Sequence, residues 1–216
     1  MPRHLILIPT DLERRVVAPL IGADRATVAL CGFGIAAAAA RTAQLVAAVA
    51  PEAVVLVGIA GRLDDRLPLG AAACFGTVAC DGIGIGSGDA FVGAAALGWP
   101  QWPGDPPAAA TAIGDVIDCA VPARPNLPRA ALLVTAAAGS ADSDDATRRR
   151  RRFPGAAAED MEGFAVALAC RLAGVPCTII RGISNTAGDR DHARWRTSAA
   201  LEAAAALVGR LIAEDR

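Results

Sequence analysis

Apolar runs and the positions at which they stop divide the chain into alternating short and long elements. Short runs rich in β-branched residues and bounded by Gly or Pro predict buried strands. The predicted strands are residues 5–8, 26–30, 53–57, 71–79, 131–135 and 177–180. Longer amphipathic or alanine-rich runs predict helices at residues 35–49, 163–173 and 198–213.

The order of these elements indicates the fold class. Strands that alternate with helices predict an α/β three-layer sandwich, in which helices cover both faces of a central mixed, mostly parallel sheet. We expect residues 1–216 to form a single domain of this kind. Ligands of such sheets bind outside the carboxyl ends of the strands. Because Glu13, residues 58–61 and Asn185 all follow such ends, one pocket can collect them.

Two segments predict irregular structure. Residues 53–57 run into Gly58-Ile59-Ala60-Gly61, which predicts a tight glycine turn directly after the strand. Residues 81–107 are rich in Gly, Pro and Trp and predict a long loop. Loops of that length are usually functional or mobile.

Composition and charge narrow the possible classes of protein. The 216 residues are 54% hydrophobic and 20% charged, which is typical of a globular chain. The formal net charge of −1 gives no electrostatic basis for binding nucleic acid or a membrane surface, and no apolar run reaches the length of a membrane span. The chain contains no lysine, which excludes a Schiff-base or P-loop lysine. The six cysteines form no CxxC pair and predict reduced, structural thiols in a cytoplasmic protein, with no metal site.

Five consecutive arginines occupy residues 148–152. They could form a patch that binds phosphate or nucleic acid, or they could be the solvated face of a helix beside Asp142, Asp144 and Asp145. The near-neutral charge of the whole chain favours the solvated face.

Glu159-Asp160-Met161-Glu162 places three acids before Gly163, at the start of a predicted helix. Acids stabilise a helix N-terminus through the helix dipole, so this segment could be purely structural. The same carboxylates could also act on a substrate, and spacing alone does not separate the two interpretations.

Larger motifs resemble a known superfamily. Phe153-Pro154, then Glu159 to Gly163, then Arg181-Gly182-Ile183-Ser184-Asn185, together resemble the purine nucleoside phosphorylase and nucleosidase superfamily. The glycine-rich residues 31–34 and 58–61 resemble its two glycine turns, so the resemblance spans nearly the whole chain. Within the superfamily, residues 181–195 are most similar to the futalosine hydrolases.

This resemblance implies a function and a set of partners. It implies an N-glycosidase that hydrolyses futalosine to hypoxanthine and dehypoxanthine futalosine in menaquinone biosynthesis, without a cofactor. It also implies a purine nucleoside as the small-molecule substrate and a homodimer or larger homo-oligomer. Trp99 and Trp102 could then lie at a subunit interface or could simply pack within their loop.

The resemblance assigns roles that chemistry supports. Breaking a ribosyl C–N bond builds positive charge on the sugar, which a carboxylate can stabilise. Glu162 matches the family glutamate that holds the ribose hydroxyls, and Met161 matches the methionine beside the sugar. Glu13 matches the glutamate that positions and deprotonates the attacking water, which is a general-base task.

Asn185 bears on the choice of base. Adenine-specific nucleosidases of the superfamily carry an aspartate here, which can protonate the departing base at N7. An asparagine amide offers both a donor and an acceptor, so it can donate to N7 while accepting from N1–H or supporting a 6-oxo base. The asparagine therefore favours hypoxanthine or guanine over adenine, although it could also be a turn residue that contacts no ligand.

The choice between water and phosphate depends on the central glycine segment. Phosphorylases of the superfamily bind phosphate with a serine at the position of Ile59 and with an arginine at the position of Leu56. Isoleucine cannot bind phosphate, which favours hydrolysis. Arg62 stands where the family pattern has a glycine. It also places a cationic side chain directly after the central glycine segment.

The remaining expected site residues are Ala60, Gly61, Phe153, Asp160 and Arg181. We expect Phe153 to stack on the base or to pack in the core, and Arg181 to anchor a substrate carboxylate or to brace the ribose-binding glutamate. Trp195 could cap the pocket or be buried.

Three other functions compete with this one. Asn185 disfavours a 5′-methylthioadenosine/S-adenosylhomocysteine-type nucleosidase, and Ile59 disfavours a 6-oxopurine nucleoside phosphorylase. Retention of both Glu13 and Glu162 disfavours a nucleoside-binding protein, since binding does not require a water-activating acid.

Overall fold

The computed structural model describes residues 4–22, 26–105, 112–123 and 127–213. Its helices are α1 (Asp11–Ile21), α2 (Gly34–Val49), α3 (Ser143–Arg152), α4 (Gly163–Leu172) and α5 (Thr197–Ala213). Its strands are β1 (His4–Ile8), β2 (Thr27–Leu30), β3 (Ala53–Arg62), β4 (Ala72–Asp81), β5 (Gly84–Ile85), β6 (Val92–Gly93), β7 (Val116–Asp118), β8 (Arg129–Ala136), β9 (Ala156–Asp160) and β10 (Cys177–Thr186).

The central sheet is mixed and mostly parallel, as predicted. Its strand order is β10-β4-β8-β9-β3-β1-β2, with β7 paired to β4. The antiparallel pairs are β10–β4, β3–β9 and β4–β7, and the other pairs are parallel. Because β10 also pairs with β3, the strands β3, β10, β4, β8 and β9 close into a ring. The C-terminal ends of β3, β9 and β10 meet in this ring.

Side chains alternate between two cores along the buried strands. In β1, Leu5 and Leu7 join a core that includes α2 and α4, whereas Ile6 and Ile8 join a core that includes α1 and α5. A strand buried on both faces is a nearly continuous apolar run. The two cores on the two faces of the sheet confirm the predicted three-layer α/β sandwich.

The predicted glycine turn after residue 57 is wrong, because β3 continues through Gly58 and Gly61 to Arg62. Glycine is required at position 58 for a different reason. A Cβ atom there would collide with Arg181 Nη1 and would lie 2.6 Å from Glu13 Oε1. The missing side chain therefore leaves room for two functional side chains rather than for a bend.

Two further predictions about the elements need correction. Residues 156–160 form β9, so Glu159 and Asp160 end a strand instead of starting a helix. Strand β10 extends to Thr186, six residues beyond its predicted end, so Asn185 is a strand residue and not a turn residue. The predicted loop 81–107 contains the β5–β6 hairpin and short 3-10 turns, and its last two residues lie outside the described ranges.

All six cysteines are free thiols. Burial raises the pKa of Cys74 to about 11 and that of Cys31 to about 12, so these thiols are poor nucleophiles. Among the described residues, no helix combines the length and apolarity needed to cross a membrane.

Candidate active site

A cavity of about 300 Å³ opens at the C-terminal ends of β1, β3, β9 and β10. This is the position at which open α/β sheets bind ligands. Its lining is formed by the following side chains and backbone segments: Pro9, Thr10, Glu13, Phe33, Ile59, Ala60, Gly61, Gly139, Ser140, Glu159, Asp160, Met161, Glu162, Ser184, Asn185, Asp189, Arg190 and Trp195.

Glu13 is held in the first turn of α1 by a capping box. The backbone N–H of Glu13 donates to Thr10 Oγ1 at 3.3 Å, while Thr10 N and Oγ1 donate to Glu13 Oε2 at 3.0 and 2.7 Å. Ile59 N donates to Glu13 Oε1 at 3.0 Å. Only 4% of Glu13 is exposed, so the carboxylate is fixed at the floor of the cavity.

Arg181 organises the carboxylates of Asp160 and Glu162. Its Nε and Nη2 donate to Asp160 Oδ2 at 2.9 and 2.5 Å, and Nη2 also donates to Glu162 Oε2 at 3.1 Å. Arg181 is fully buried and does not line the cavity. The structure therefore supports a brace for Glu162 and contradicts Arg181 as an anchor for a substrate carboxylate.

Glu162 keeps an unusual share of its hydrogen-bonding capacity free. Gly34 N donates to Oε1 at 3.0 Å, and the Arg181 bond to Oε2 is the other contact from the described residues. Burial, opposed by Arg181 and reinforced by the negative charge of Asp160, raises the pKa of Glu162 to about 7. The carboxylate is thus poised to change protonation state near neutral pH.

Arg181 Nη1 has no hydrogen-bond partner among the described residues. It approaches Gly58, as does Glu13 Oε1. An acceptor and an unpaired cationic donor therefore converge at one point beneath the cavity. A water molecule there could bond to both groups.

Asn185 is held by its neighbours. Ser184 Oγ donates to Asn185 Oδ1 at 2.8 Å, and Asn185 Nδ2 donates to the Thr186 carbonyl at 3.0 Å. Nδ2 also lies 3.4 Å from the place that a Cβ on Gly61 would occupy. Each bond uses one site of an amide that has two donors and two acceptor lone pairs, so Asn185 retains one donor and one acceptor site.

The structure brings together all but two of the expected site residues. Ala60, Gly61, Asp160 and Met161 line the cavity together with the three expected catalytic residues. Arg181 lies beneath it, as described above.

Phe153 is the other exception. It packs against Leu63 and Ala146, away from the cavity, because it caps the C-terminus of α3. The stacking role predicted for Phe153 is therefore wrong, and Phe33 and Trp195 supply the aromatic lining instead.

Several cavity residues had no predicted role. Glu159 and Ser140 form one wall, and Arg190 places a cationic side chain at the lining. Among the described residues Arg190 has no ion pair or hydrogen bond. Ser140 lies outside the motifs identified in the sequence, whereas Glu159 and Arg190 lie within them but had no assigned role.

The solvated helix face predicted for residues 148–152 is wrong for Arg149. Only 7% of Arg149 is exposed, and its guanidinium pairs with Asp81 at 2.9 Å and with Glu159. Arg150 and Arg151 are exposed, as expected. No group of three or more potential metal ligands occurs among the described side chains.

Comparisons with known proteins agree with this architecture. Residues 8–213 match the Phosphorylase superfamily. The chain is 36% identical over 190 residues to the futalosine hydrolase of Streptomyces coelicolor, covering 83% of this chain and 75% of that protein. It is 27% identical over 197 residues to the 5′-methylthioadenosine/S-adenosylhomocysteine nucleosidase of Shewanella baltica, covering 86% and 80%.

A solved structure shares the fold. The futalosine hydrolase mutant of Helicobacter pylori strain 26695 superposes with a TM-score of 0.78 at 17% identity, covering 99% of this chain and all of that one. The chain therefore belongs to the phosphorylase superfamily. Within it, the similarity to futalosine hydrolases that residues 181–195 predicted is confirmed.

Proposed function

We propose that this protein is an N-glycosidase that hydrolyses the purine–ribose bond of futalosine and releases hypoxanthine. The observation that carries the proposal is the convergence of Glu13, Glu162 and Asn185 on one cavity. The 36% identity to a futalosine hydrolase supports the choice of substrate. The broader conclusion, that the substrate is a small purine nucleoside, is supported by the cavity and by membership of the phosphorylase superfamily.

Glu162 and Glu13 divide the chemistry of the sugar between them. The free lone pairs of Glu162 accept from the ribose hydroxyls, and its negative charge stabilises the cationic sugar as the C–N bond breaks. Glu13 accepts a proton from the attacking water, which Arg181 Nη1 orients from beneath. The electron pair of the broken bond leaves with the base.

Asn185 serves the leaving base. Its remaining Nδ2 donor can bond to N7 of hypoxanthine as negative charge develops on the ring. An amide does so without placing a second negative charge beside the 6-oxo group. This supports a 6-oxopurine over adenine as the leaving group.

Water is a better nucleophile than phosphate for this cavity. Ile59 is part of the lining and has no hydroxyl that could bind phosphate, and the Ile59 N–H is already bonded to Glu13. Arg62 does not line the cavity, because its guanidinium bonds to Thr186 Oγ1 at 3.0 Å and to the Leu67 carbonyl at 3.3 Å. The described lining thus offers no cluster of donors for a phosphate dianion.

Arg190 suits the remote end of futalosine, which carries a carboxylate. It is the cationic residue among the described lining and has no protein partner there. Trp195 lies close to it in sequence, and the Trp195 indole is fixed by a bond from Nε1 to the Asp189 carbonyl at 3.1 Å. An aromatic ring beside a free guanidinium can bind an aryl carboxylate.

We propose further that residues 1–216 act as one domain, in the cytoplasm and as a homodimer or larger homo-oligomer. Exposed apolar side chains in the segment after β4, including Ile85, Trp99 and Val116, support a subunit contact. Light scattering on the purified protein would measure the oligomeric state, and a monomer would refute the homo-oligomer.

One assay tests the function. Purified protein is incubated with futalosine, inosine and methylthioadenosine, each with and without phosphate, and the free base is followed. We expect hypoxanthine from futalosine without a phosphate requirement. Release of adenine alone would instead support the 5′-methylthioadenosine-type nucleosidase, and a strict need for phosphate would support a phosphorylase.

A further inference from the structure

We propose that Glu159 is a second residue that selects the base, and that it accepts a hydrogen bond from N1–H of a 6-oxopurine. This inference rests on the proposed function and extends it from Asn185 to the facing wall of the same cavity. Glu159 has no part in the chemistry at the sugar.

The strand register places Glu159 and Asn185 on either side of Gly61. Gly61 in β3 pairs with Glu159 in β9 and with Asn185 in β10. Glu159 and Asn185 are therefore two strand spacings apart, which is roughly 10 Å. Residues paired in register lie on the same face of a sheet. Gly61 places no side chain between the two polar side chains, and all three residues line the cavity.

The Glu159 carboxylate still has room for a ligand. Ser140 N donates to Oε1 at 2.8 Å, and Ser140 Oγ donates to Oε2 at 2.6 Å. Arg149 Nη1 also donates to Oε2. Each carboxylate oxygen can accept two bonds, so Oε2 is saturated while Oε1 keeps one lone pair. Glu159 is 7% exposed and lines the cavity, into which this lone pair can point.

Arg149 fixes the wall that carries this carboxylate. Its Nε donates to Asp81 Oδ2 at 2.9 Å, its Nη1 to Ser140 Oγ at 2.9 Å and its Nη2 to the Ala138 carbonyl at 3.0 Å. The guanidinium thereby ties the end of β4 to residues 138–140 and to Glu159. Ion pairing offsets the charge of Glu159 and orients it, which makes it a preorganised acceptor without a donor.

An acceptor without a donor discriminates between purines. A 6-oxopurine carries a proton on N1 and can donate to Glu159. A 6-aminopurine has a bare lone pair on N1, which would face the carboxylate lone pair and leave both acceptors unpaired. A site built for a donor rejects a ligand that lacks it, because its buried polar group loses its partner. Arg149 is a positioning residue in this scheme, since it acts through Glu159.

The test compares futalosine with its 6-amino analogue, which differs only at the base. We expect Glu159→Gln to lower the ratio of the two kcat/KM values by about 10- to 100-fold, mainly through a loss with futalosine. The matched control is the exposed Glu202→Gln, which makes the same chemical change away from the cavity and should preserve the ratio. Equal losses on both substrates in Glu159→Gln would reveal a purely structural role and overturn the proposal.

A second measurement uses the unaltered protein and does not depend on how the variant folds. Hypoxanthine and 1-methylhypoxanthine are compared as inhibitors, since methylation removes the N1 proton and leaves O6 and N7 in place. We expect hypoxanthine to bind at least about tenfold more tightly. Equal inhibition would overturn the role of Glu159. If the unaltered protein releases no hypoxanthine from futalosine, the proposed function fails, and the affinities of the two bases, measured by isothermal titration calorimetry, still test Glu159.

Discussion

Two buried arginines support two different walls of the cavity, and they share their hydrogen bonds differently among the neighbouring carboxylates. Arg181 pairs with Asp160 and Glu162 beneath the sugar-binding side. Asp160 receives most of the donors, since Thr135 Oγ1 donates to its Oδ1 at 2.5 Å while Gly163 N and Arg181 donate to its Oδ2. Glu162 receives the smaller share of donors and stays available to a ligand.

Arg149 divides its bonds differently. It shares Asp81 with Arg152, whose Nη2 lies 3.2 Å from Asp81 Oδ2, and it shares Glu159 with Ser140. Two cations therefore face two acids in this cluster, whereas one cation faces two acids around Arg181. The comparison teaches that a buried arginine can hold one acid in place and present another to the cavity.

Replacing each arginine by methionine should break the two clusters to different extents. Arg181→Met leaves two buried acids without a cation, so we expect the free energy of unfolding to fall by about 3–5 kcal/mol. Arg149→Met should cost less, because Asp81 keeps Arg152. Urea denaturation measures both. Arg151→Met is the exposed control from the same run and should stay within about 0.5 kcal/mol of the unaltered protein. Equal losses for the two buried arginines would contradict the difference in charge balance.

Glu13→Gln tests the Arg181 side of the cavity, because it removes the proposed general base that lies near Arg181. The variant keeps its size and can still accept from Ile59 N, but it cannot take a proton from water. We expect kcat to fall by about 10²-fold or more, with a small change in KM. Steady-state release of hypoxanthine measures this, with the exposed Glu202→Gln as control. Unchanged turnover would remove Glu13 from the mechanism.

The pH profile of the reaction should report the raised pKa of Glu162. The pKa of Glu162 is raised to about 7, so Glu162 is protonated below that pH and negatively charged above it. Because only the charged form stabilises the cationic sugar, kcat/KM should rise as pH increases through 7 and fall about tenfold per unit below it. In Glu162→Gln the residual activity should lose this step. A step that persists in the variant would assign it to another group.

Asn185→Asp probes the base side, where the charge balance would change. A new carboxylate would face the 6-oxo group of hypoxanthine across the cavity from Glu159. We expect kcat/KM to shift toward the 6-amino analogue by about tenfold relative to futalosine. Competition between the two substrates measures the shift. If the preference for the 6-oxo base stays the same, Asn185 does not select the base.

The sequence predicted the sheet better than it predicted the connections at the site. Strands β1, β4 and β8 are long apolar runs, and burial on both faces makes such runs conspicuous. Strand β9 was not predicted, because its three alanines have low strand propensity and its two acids are typical of a helix start. The β3 glycines were interpreted as a turn, although Gly58 serves the close approach of Arg181 and Glu13.

The sugar-binding half of the site was predictable, while the wall formed by Glu159 was not. Glu13 and Glu162 match positions of the superfamily, and both line the cavity. Arg149 has no such signal, because one of its partners is 68 residues away and its neighbours in the run are exposed. A buried ion pair between distant segments is a property of the tertiary structure, and local pattern cannot reveal it.

Arg190 is the unpaired counterpart of the two buried arginines, and its removal should have the smallest effect. Arg190→Gln should raise KM for futalosine by about 2- to 5-fold, because an exposed ion pair contributes at most about 1 kcal/mol. Inosine lacks the carboxylate, so its KM should not change. Raising the salt concentration should weaken futalosine binding to the unaltered protein more than to the variant, since screening acts on the exposed pair. An equal rise in KM for inosine would show that Arg190 shapes the cavity instead of binding the carboxylate.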